Sequence, residues 1–118
     1  MPTRRQRRVA DRVREELADL LERRTEDPRL RGLTITDVEV TQDLKLAFIY
    51  VSSLAGVEGS HEAMAGLEHA TKFFRHELAR RVDLRSVPEL VFRWDASLET
   101  GERISRILDD LAKQEHDT

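Results

Sequence analysis

The stretch Val87-Pro88-Glu89-Leu90-Val91-Phe92-Arg93-Trp94-Asp95 decides how this 118-residue chain folds. Alternate side chains of a β-strand point to opposite sides of the sheet, and the apolar ones on one side are Leu90, Phe92 and Trp94. The other side carries Val91, Arg93 and Asp95, and because two of these are charged we expect this strand to be packed on one side only. Pro88 has no N–H to donate and suits the first position of a strand. A one-sided strand of this kind is typical of a small α+β domain.

The residues before this strand predict a helix followed by a hairpin. Apolar residues recur at helical spacing from about residue 4 to 24, and they are Val9, Val13, Leu17, Leu20 and Leu21. Pro28 then ends the helix in a turn. Residues 33–40 and 44–51 read as two strands of an antiparallel hairpin. The second strand is apolar on both faces apart from Lys45, so we expect it to be the more buried one.

Two further helices are predicted, one before and one after the strand at residues 87–95. Residues 60 to about 82 have one apolar stripe at helical spacing, and its members are Ala63, Leu67, Ala70, Phe74, Leu78 and Val82. After the strand, a last amphipathic helix is indicated by Ile104, Ile107, Leu108 and Leu111. Asp95 and Glu99 then suit capping positions at its start, where the helix dipole favours carboxylates.

The predicted element order is α-β-β-α-β-α, and its fold class is α+β. A connection through the long helix permits a mixed three-stranded sheet with helices packed on one face, an arrangement characteristic of KH-like nucleic-acid-binding domains. The length and the 39% hydrophobic content predict one domain over residues 1–118. Its core is expected to span residues 4–111, with 112–118 as a frayed tail.

The charges of the chain are segregated along its length. The net charge is only −3, which argues against indiscriminate coating of nucleic acid. Residues 1–14, however, carry six arginines and a single acid, whereas residues 34–68 carry six acids and Lys45 alone. Clustering of one sign costs self-repulsion unless a partner relieves it. The arginine block therefore indicates an anionic partner.

Motifs of catalysis are lacking in the sequence. There is no cysteine, no nucleophile elbow, no phosphate-binding P-loop and no dinucleotide fingerprint. His69 and His76 lie two helical turns apart, which is too far to share a metal ion. Gly56-Val57-Glu58-Gly59 has the spacing of the phosphate-clamping loop of KH domains, but it follows a strand and Glu58 would repel phosphate. We therefore expect an ordinary loop there, no enzyme, no metal and no cofactor.

Several segments together resemble the ribosome-binding factor A family of bacterial small-subunit maturation factors. The resemblance covers about residues 4 to 111. It rests on Asp27-Pro28-Arg29, residues 34–40 with Asp43-Leu44, Tyr50-Val51-Ser52, Phe73-Phe74-Arg75 with Glu77-Leu78, Leu84-Arg85, Val87-Pro88-Glu89-Leu90, Phe92 and Asp95. Each piece is weak alone, but their order and spacing are specific.

The resemblance implies a type II KH-like fold in which an Ala-x-Gly kink between two helices replaces the glycine loop. It also implies a non-enzymatic, cytoplasmic factor that binds free small ribosomal subunits late in assembly and assists 16S rRNA maturation. Here the kink would fall on Ala70, Thr71 and Lys72. Lysine stands where the family has glycine, a common cause of sharp helix bends, so the sequence also fits a straighter helix. Lys72 would add a charge suited to phosphate.

Basic residues near the first helix and the third element form the candidate RNA-binding surface. Its predicted members are Arg4, Arg5, Arg7, Arg8, Arg12, Lys72, Arg75, Arg80, Arg81 and Arg85. Arginine binds phosphate bidentately and stacks on bases. Most of the few aromatic residues fall on core faces, so we expect recognition of RNA backbone and shape.

An alternative function uses the acidic hairpin instead of the arginines. A protein-protein adaptor would present Asp37, Glu39 and Asp43 to a basic partner, such as a ribosomal protein, without contacting RNA. No run reaches the roughly 18 apolar residues of a membrane span, so no membrane partner is expected. No spare apolar stripe is evident, and a monomer is the expected state.

Overall fold

The computed structural model describes residues 1–23, 26–53 and 56–96. Its elements are helix α1 (Arg4–Arg23), a short 3-10 helix (Pro28–Leu30), strands β1 (Leu33–Val40) and β2 (Leu46–Ser53), helix α2 (Ser60–Arg81) and strand β3 (Glu89–Trp94). The predicted order is confirmed over these residues, with boundaries within about two positions. The predicted last helix, its Glu99 cap and the tail 112–118 lie outside the described residues. Neither described helix could cross a bilayer, because both are too polar over the length required.

The three strands form one mixed sheet in the order β1-β2-β3. β1 and β2 pair antiparallel, with Leu33 opposite Ser53, while β2 and β3 pair parallel, with Val51 opposite Trp94. β2 is therefore the central strand, and no residue along it is fully exposed. This confirms the α+β class, the mixed sheet and the prediction that the second strand is the more buried one.

Both helices pack on the same face of this sheet. The buried residues of α1 are Val9, Val13, Leu17 and Leu20, and those of α2 include Leu67, Phe74 and Leu78. They form one core with inward side chains of the strands, such as Ile49 and Leu90. The Phe74 ring is fully buried and lies 5.9 Å from the Phe92 ring. Burial of such a ring stabilises the fold by about 1.5–3 kcal/mol.

The opposite face of the sheet carries no described helix. Tyr50 and Arg93 are paired across β2 and β3 on this face, and Asp37 lies opposite Tyr50 on β1. The Arg93 guanidinium lies 4.5 Å from the centre of the Phe48 ring, a cation–π distance. Arg93 is therefore held on the outer sheet face, away from both helices.

Strand β3 is hydrogen-bonded to its neighbours at both of its ends. The Glu89 N–H donates to Lys45 O, and the Asp95 N–H donates to Val51 O, each at 2.8 Å. The Asp95 carboxylate also accepts from the Thr36 hydroxyl, at the irregularity of β1 between Ile35 and Asp37. Asp95 thus ties the end of β3 to β1 across the central strand, a role that the sequence did not predict.

Helix α2 is continuous through the segment where a kink was expected. One α-helix runs from Ser60 to Arg81, so Ala70, Thr71 and Lys72 do not form a junction between two helices. The Thr71 hydroxyl donates to Leu67 O at 2.9 Å, a side-chain bond that is often associated with slight helix bending. A bend within the single helix stays a prediction. The lysine in place of glycine is consistent with the uninterrupted backbone, because it has the higher helix propensity.

Candidate RNA-binding surface

The first turn of α1 is fixed by a reciprocal capping interaction. Thr3 Oγ1 accepts from the Gln6 N–H at 3.2 Å, and Gln6 Oε1 accepts from the Thr3 N–H at 2.8 Å. This is the capping box, and its Thr-x-x-Gln signature was available in the sequence. Gln6 Nε2 also donates to Val40 O at 2.9 Å. The arginine-rich start of the helix is therefore anchored to the end of β1.

Two of the N-terminal arginines meet the loop that follows α2. Arg5 and Arg8 are three residues apart, so they share one side of the helix. They line a surface depression together with Arg85. The apolar part of this depression is formed by Val9, Leu44, Leu84 and Pro88, and its carboxylates are Asp43 and Asp83. The fold thus brings together three arginines that are up to 80 residues apart in the sequence.

The second half of α2 carries further exposed basic residues. Lys72, Arg75 and Arg80 are exposed. Arg75 donates to Val87 O at 3.4 Å, which links α2 to the loop that carries Arg85. We define the basic surface as Arg5, Arg8, Lys72, Arg75, Arg80 and Arg85. The only acid in the stretch 69–82 is Glu77, and its side chain is just 12% exposed.

The other predicted N-terminal residues are distributed around α1. Arg4 is exposed in the first turn. Arg7 lies in a separate groove against β1, together with the acids Asp11, Asp37 and Glu39. Arg12 is 44% exposed and has loose contacts of 3.7 Å to Glu15 and 3.9 Å to Glu16. The six-arginine block is therefore divided between two sides of the helix, because its members are not all spaced by three or four residues.

Arg81 is occupied by carboxylates of the neighbouring helix. Its Nη1 lies 2.7 Å from Asp19 Oδ2 and 3.1 Å from Glu16 Oε2, and its Nε lies 4.0 Å from Glu77. The side chain is only 21% exposed. Hydrogen bonds to Asp19 and Glu16 raise the pKa of Arg81. The geometry makes Arg81 a link between α1 and α2, not an open phosphate ligand as its sequence neighbourhood suggested.

Arg29, in the 3-10 helix, is also bonded to a carboxylate. Asp27 accepts from the Arg29 N–H at 2.9 Å, and its carboxylate is 2.7 Å from Arg29 Nη2. These bonds to Arg29, the side-chain one foremost, lower the pKa of Asp27. A side chain at Gly66 would lie 3.1 Å from Leu30 and 3.3 Å from Arg29. Asp27-Pro28-Arg29 therefore folds onto α2 where a glycine allows close approach.

The acidic hairpin is partly engaged in its own turn and edge. Asp43 Oδ1 accepts from the Thr41 hydroxyl at 2.7 Å and from the Lys45 N–H at 3.0 Å. The bond from Thr41, followed by the one from Lys45, lowers the pKa of Asp43. Asp37 Oδ1 accepts from the Val38 N–H at 2.9 Å. Glu39 is exposed on β1, an edge strand of the sheet.

The glycine pair with KH-like spacing lies where the sequence indicated, between β2 and α2. Gly56 and Gly59 have φ of 77° and 80°, a left-handed region that glycine adopts at low cost. Gly59 is the residue immediately before α2, and Glu58 is exposed. Both glycines therefore serve the chain reversal that leads into the helix.

One aromatic residue of the motif Phe73-Phe74-Arg75 lies at the surface. Phe73 is 42% exposed, between Lys72 and the buried Phe74. A signal was present in the sequence, since Phe73 falls outside the apolar stripe formed by Ala70, Phe74 and Leu78.

Comparison with known proteins gives a consistent result. The family model for ribosome-binding factor A matches residues 5–108. Ribosome-binding factor A of Aromatoleum aromaticum is 41% identical over 111 residues, which are 94% of this chain and 87% of the relative. The protein of the same name from Caldanaerobacter subterraneus is 40% identical over 114 residues, covering 96% and 93% of the two chains.

Solved structures agree with this result. The crystal structure of ribosome-binding factor A from Thermus thermophilus has a TM-score of 0.67 and 30% identity, covering 75% of this chain and 93% of that one. A Thermus thermophilus homology model fitted into a cryo-EM map of a 30S complex has a TM-score of 0.62 and 34% identity, with coverage of 74% and 92%. This similarity confirms the KH-like fold. The chain is a member of the ribosome-binding factor A family.

Proposed function

We propose that this chain binds free small ribosomal subunits late in their assembly, through contacts between its basic surface and the rRNA backbone. In doing so it assists subunit maturation and 16S rRNA processing in the cytoplasm, without catalysing a reaction itself. The observation that carries this proposal is the convergence of Arg5, Arg8 and Arg85 on one depression. The 30S complex named for the Thermus thermophilus relative supports the choice of partner.

The chemistry of the basic surface fits an A-form RNA backbone. Its arginines are presented on two helices and a loop, and in the described residues Arg5, Arg8 and Arg85 make no ion pair. Planar guanidinium groups bind phosphate oxygens bidentately. Such contacts position a protein on folded RNA without reading its sequence. The surface therefore suits recognition of rRNA shape at a defined place on the subunit.

Gradient sedimentation of the tagged protein in cell lysate tests this function. We expect co-migration with free small subunits and absence from translating ribosomes. Arg5→Glu/Arg8→Glu should abolish co-migration. Arg14→Glu is the control, because it reverses an exposed charge on the other side of α1 and should leave co-migration intact. No association of the wild-type protein with small subunits would contradict the proposal.

The acidic adaptor is the second candidate, and one observation favours it. Asp11, Asp37 and Glu39 line the groove between α1 and β1, where a basic segment of a ribosomal protein could lie. Asp43 is less suitable than the sequence indicated, because its carboxylate is bonded within the turn. Loss of subunit binding in Asp37→Lys/Glu39→Lys, with normal binding of Arg5→Glu/Arg8→Glu, would favour the adaptor.

A further inference from the structure

Phe73 stands apart from every other aromatic residue of the chain. All six aromatic side chains fall in the described residues, and five of them are buried or half-buried. Phe73 alone is exposed, at 42% of its surface. A single exposed apolar side chain needs no explanation by itself. Its support and its surroundings are what distinguish this ring.

The Phe73 ring is held from behind by a series of aromatic rings. It lies 5.8 Å from the fully buried Phe74 ring, and Phe74 lies 5.9 Å from Phe92 of β3. Both distances are typical of stabilising aromatic pairs. The ring is thus packed at one side and open at the other, on a regular helix. A ring supported in this way loses little conformational entropy when a flat partner stacks on its open side.

One exposed cation lies on the same side of α2 as Phe73. The residues one turn away are His69, Ala70, His76 and Glu77, and Arg80 lies seven residues further on; Lys72 precedes Phe73 in the sequence. The side chains of Lys72 and Arg80 are solvent-exposed. Arg80 is 69% exposed, and its contact to Glu77 is loose at 3.6 Å. Arg80 is therefore available to bind a phosphate on the side of α2 that presents the ring.

We propose that Phe73 is a stacking platform for one unpaired base of the bound RNA. This inference rests on the proposed function and extends it, since the surface then binds a single-stranded nucleotide as well as the backbone. Nucleobases in loops, bulges and ends stack on aromatic side chains, whereas a paired base in an A-form helix has no free face. The preferred RNA is therefore one with an unpaired base beside a phosphate held by Lys72 or Arg80.

The test measures affinity of the full chain for two RNA probes at physiological salt. One probe is an unstructured RNA of about ten nucleotides, and the other is a fully paired duplex. Phe73→Ala should weaken binding of the single strand roughly five- to tenfold, the lower part of the range for one stacked base. Binding of the duplex should not change. Equal single-strand affinity for Phe73→Ala and the wild type would overturn the inference.

Conservative variants separate stacking from apolar contact. Phe73→Tyr and Phe73→Trp keep the flat ring and should bind the single strand like the wild type. Phe73→Leu keeps apolar bulk without a π face and should bind as weakly as Phe73→Ala. Wild-type affinity of Phe73→Leu would overturn the inference and indicate an apolar protein contact. In Phe73→Trp, the fluorescence that exceeds the Trp94 signal should be quenched by the single strand and not by the duplex.

The salt dependence of binding distinguishes a missing base from a missing phosphate. Phe73→Ala should leave the slope of log affinity against log salt unchanged, because stacking releases no counterions. A changed slope would contradict stacking. If Phe73→Ala has no effect while Arg5→Glu/Arg8→Glu abolishes subunit binding, the inference fails and the proposed function stands. If the wild type binds neither subunits nor RNA, both fail.

Discussion

Two groups of arginines in this protein differ in their partners: the clamped group is bonded to carboxylates, and the open group makes no ion pair within the described residues. Arg81 and Arg29 are bonded to carboxylates at 2.7 Å, whereas Arg5, Arg8 and Arg85 share a depression in which the described residues make no ion pair with them. In the first group, Arg81 links α2 to α1 and Arg29 is bonded within its own turn, whereas the second group is exposed to solvent. The role of an arginine is therefore set by whether a carboxylate of the folded chain reaches it.

The clamped arginines would bind RNA poorly for an energetic reason. A guanidinium that already donates to carboxylate oxygens must break those bonds before it can donate to phosphate. The carboxylates would then also repel the phosphate across a short distance. Arg5, Arg8 and Arg85 have no such ion pair to break within the described residues, although Asp43 and Asp83 also line their depression. The basic surface is therefore better represented by Arg5, Arg8 and Arg85 than by Arg81.

The largest effect is expected when all three arginines of the open group are replaced. Arg5→Ala/Arg8→Ala/Arg85→Ala should weaken binding to purified small subunits roughly hundredfold or more, because a hydrogen bond to a charged group contributes about 1.5–3 kcal/mol. The slope of log affinity against log salt should fall by about 0.7–0.9 for each phosphate that the variant no longer binds. Binding assays at several salt concentrations measure both. Unchanged affinity would show that the open group is not the RNA ligand.

The clamped group should respond in stability instead of binding. Arg81→Ala leaves Glu16 and Asp19 close together without their shared cation, and the melting temperature should fall by a few degrees. Arg80→Ala is the matched control on the adjacent position, since its side chain is 69% exposed, and it should change the melting temperature little. Thermal unfolding followed by circular dichroism compares the two. Weaker RNA binding in a stable Arg81→Ala protein would remove the distinction between the groups.

A smaller effect is expected at Lys72, an exposed cation on α2. Lys72→Gln keeps much of the length and the helix propensity of the side chain and removes one charge. Affinity for small subunits should fall about three- to tenfold, with a decrease of about 0.7–0.9 in the salt slope. The same titration as for the triple variant measures this. No change in either quantity would confine the open group to the region around Arg85.

The smallest effect concerns the ion pair between Asp27 and Arg29 and depends on pH. The pKa of Asp27 is lowered in the folded state by its bonds to Arg29, so the ion pair stabilises the fold above the unfolded pKa of about 3.9. That stabilisation disappears as the pH falls through the lowered folded value. Asp27→Asn keeps the cap acceptor but removes the charge. It should lower the urea midpoint slightly at pH 7 and match the wild type at the lowest pH; a constant difference would contradict this.

Much of the fold could be predicted because its signals are local. The apolar spacing of Val9, Val13 and Leu17 is sufficient to predict α1, since a helix repeats every 3.6 residues. Alternation around Phe92 predicts a strand packed on one side. The Thr-x-x-Gln cap of α1 is a further local signal, because its two side chains lie within one helical turn. Boundaries and element order follow from such short-range patterns without knowledge of any distant pair.

The candidate site was less predictable because it depends on pairs that are distant in sequence. Residue type suggested ten basic ligands, but Arg81 is bonded to Glu16 and Asp19 more than 60 residues away. The kink at Ala70, Thr71 and Lys72 is implied by family resemblance alone; the segment lies within one continuous helix, and a bend there stays a prediction. Spacing alone could not show which arginines would meet an acid.

The sequence by itself predicted the two described helices, the strands, the one-sided sheet and the family, because each follows from short-range periodicity or from an ordered set of motifs. Only the tertiary structure decided which cations remain open, that Arg5 and Arg8 meet Arg85, and that Asp95 reaches Thr36 across the sheet. The physical reason is the difference in sequence separation over which the two kinds of signal act. Periodicity acts over one or two turns, whereas electrostatic pairing depends on distances of a few ångströms between side chains that the fold alone brings together.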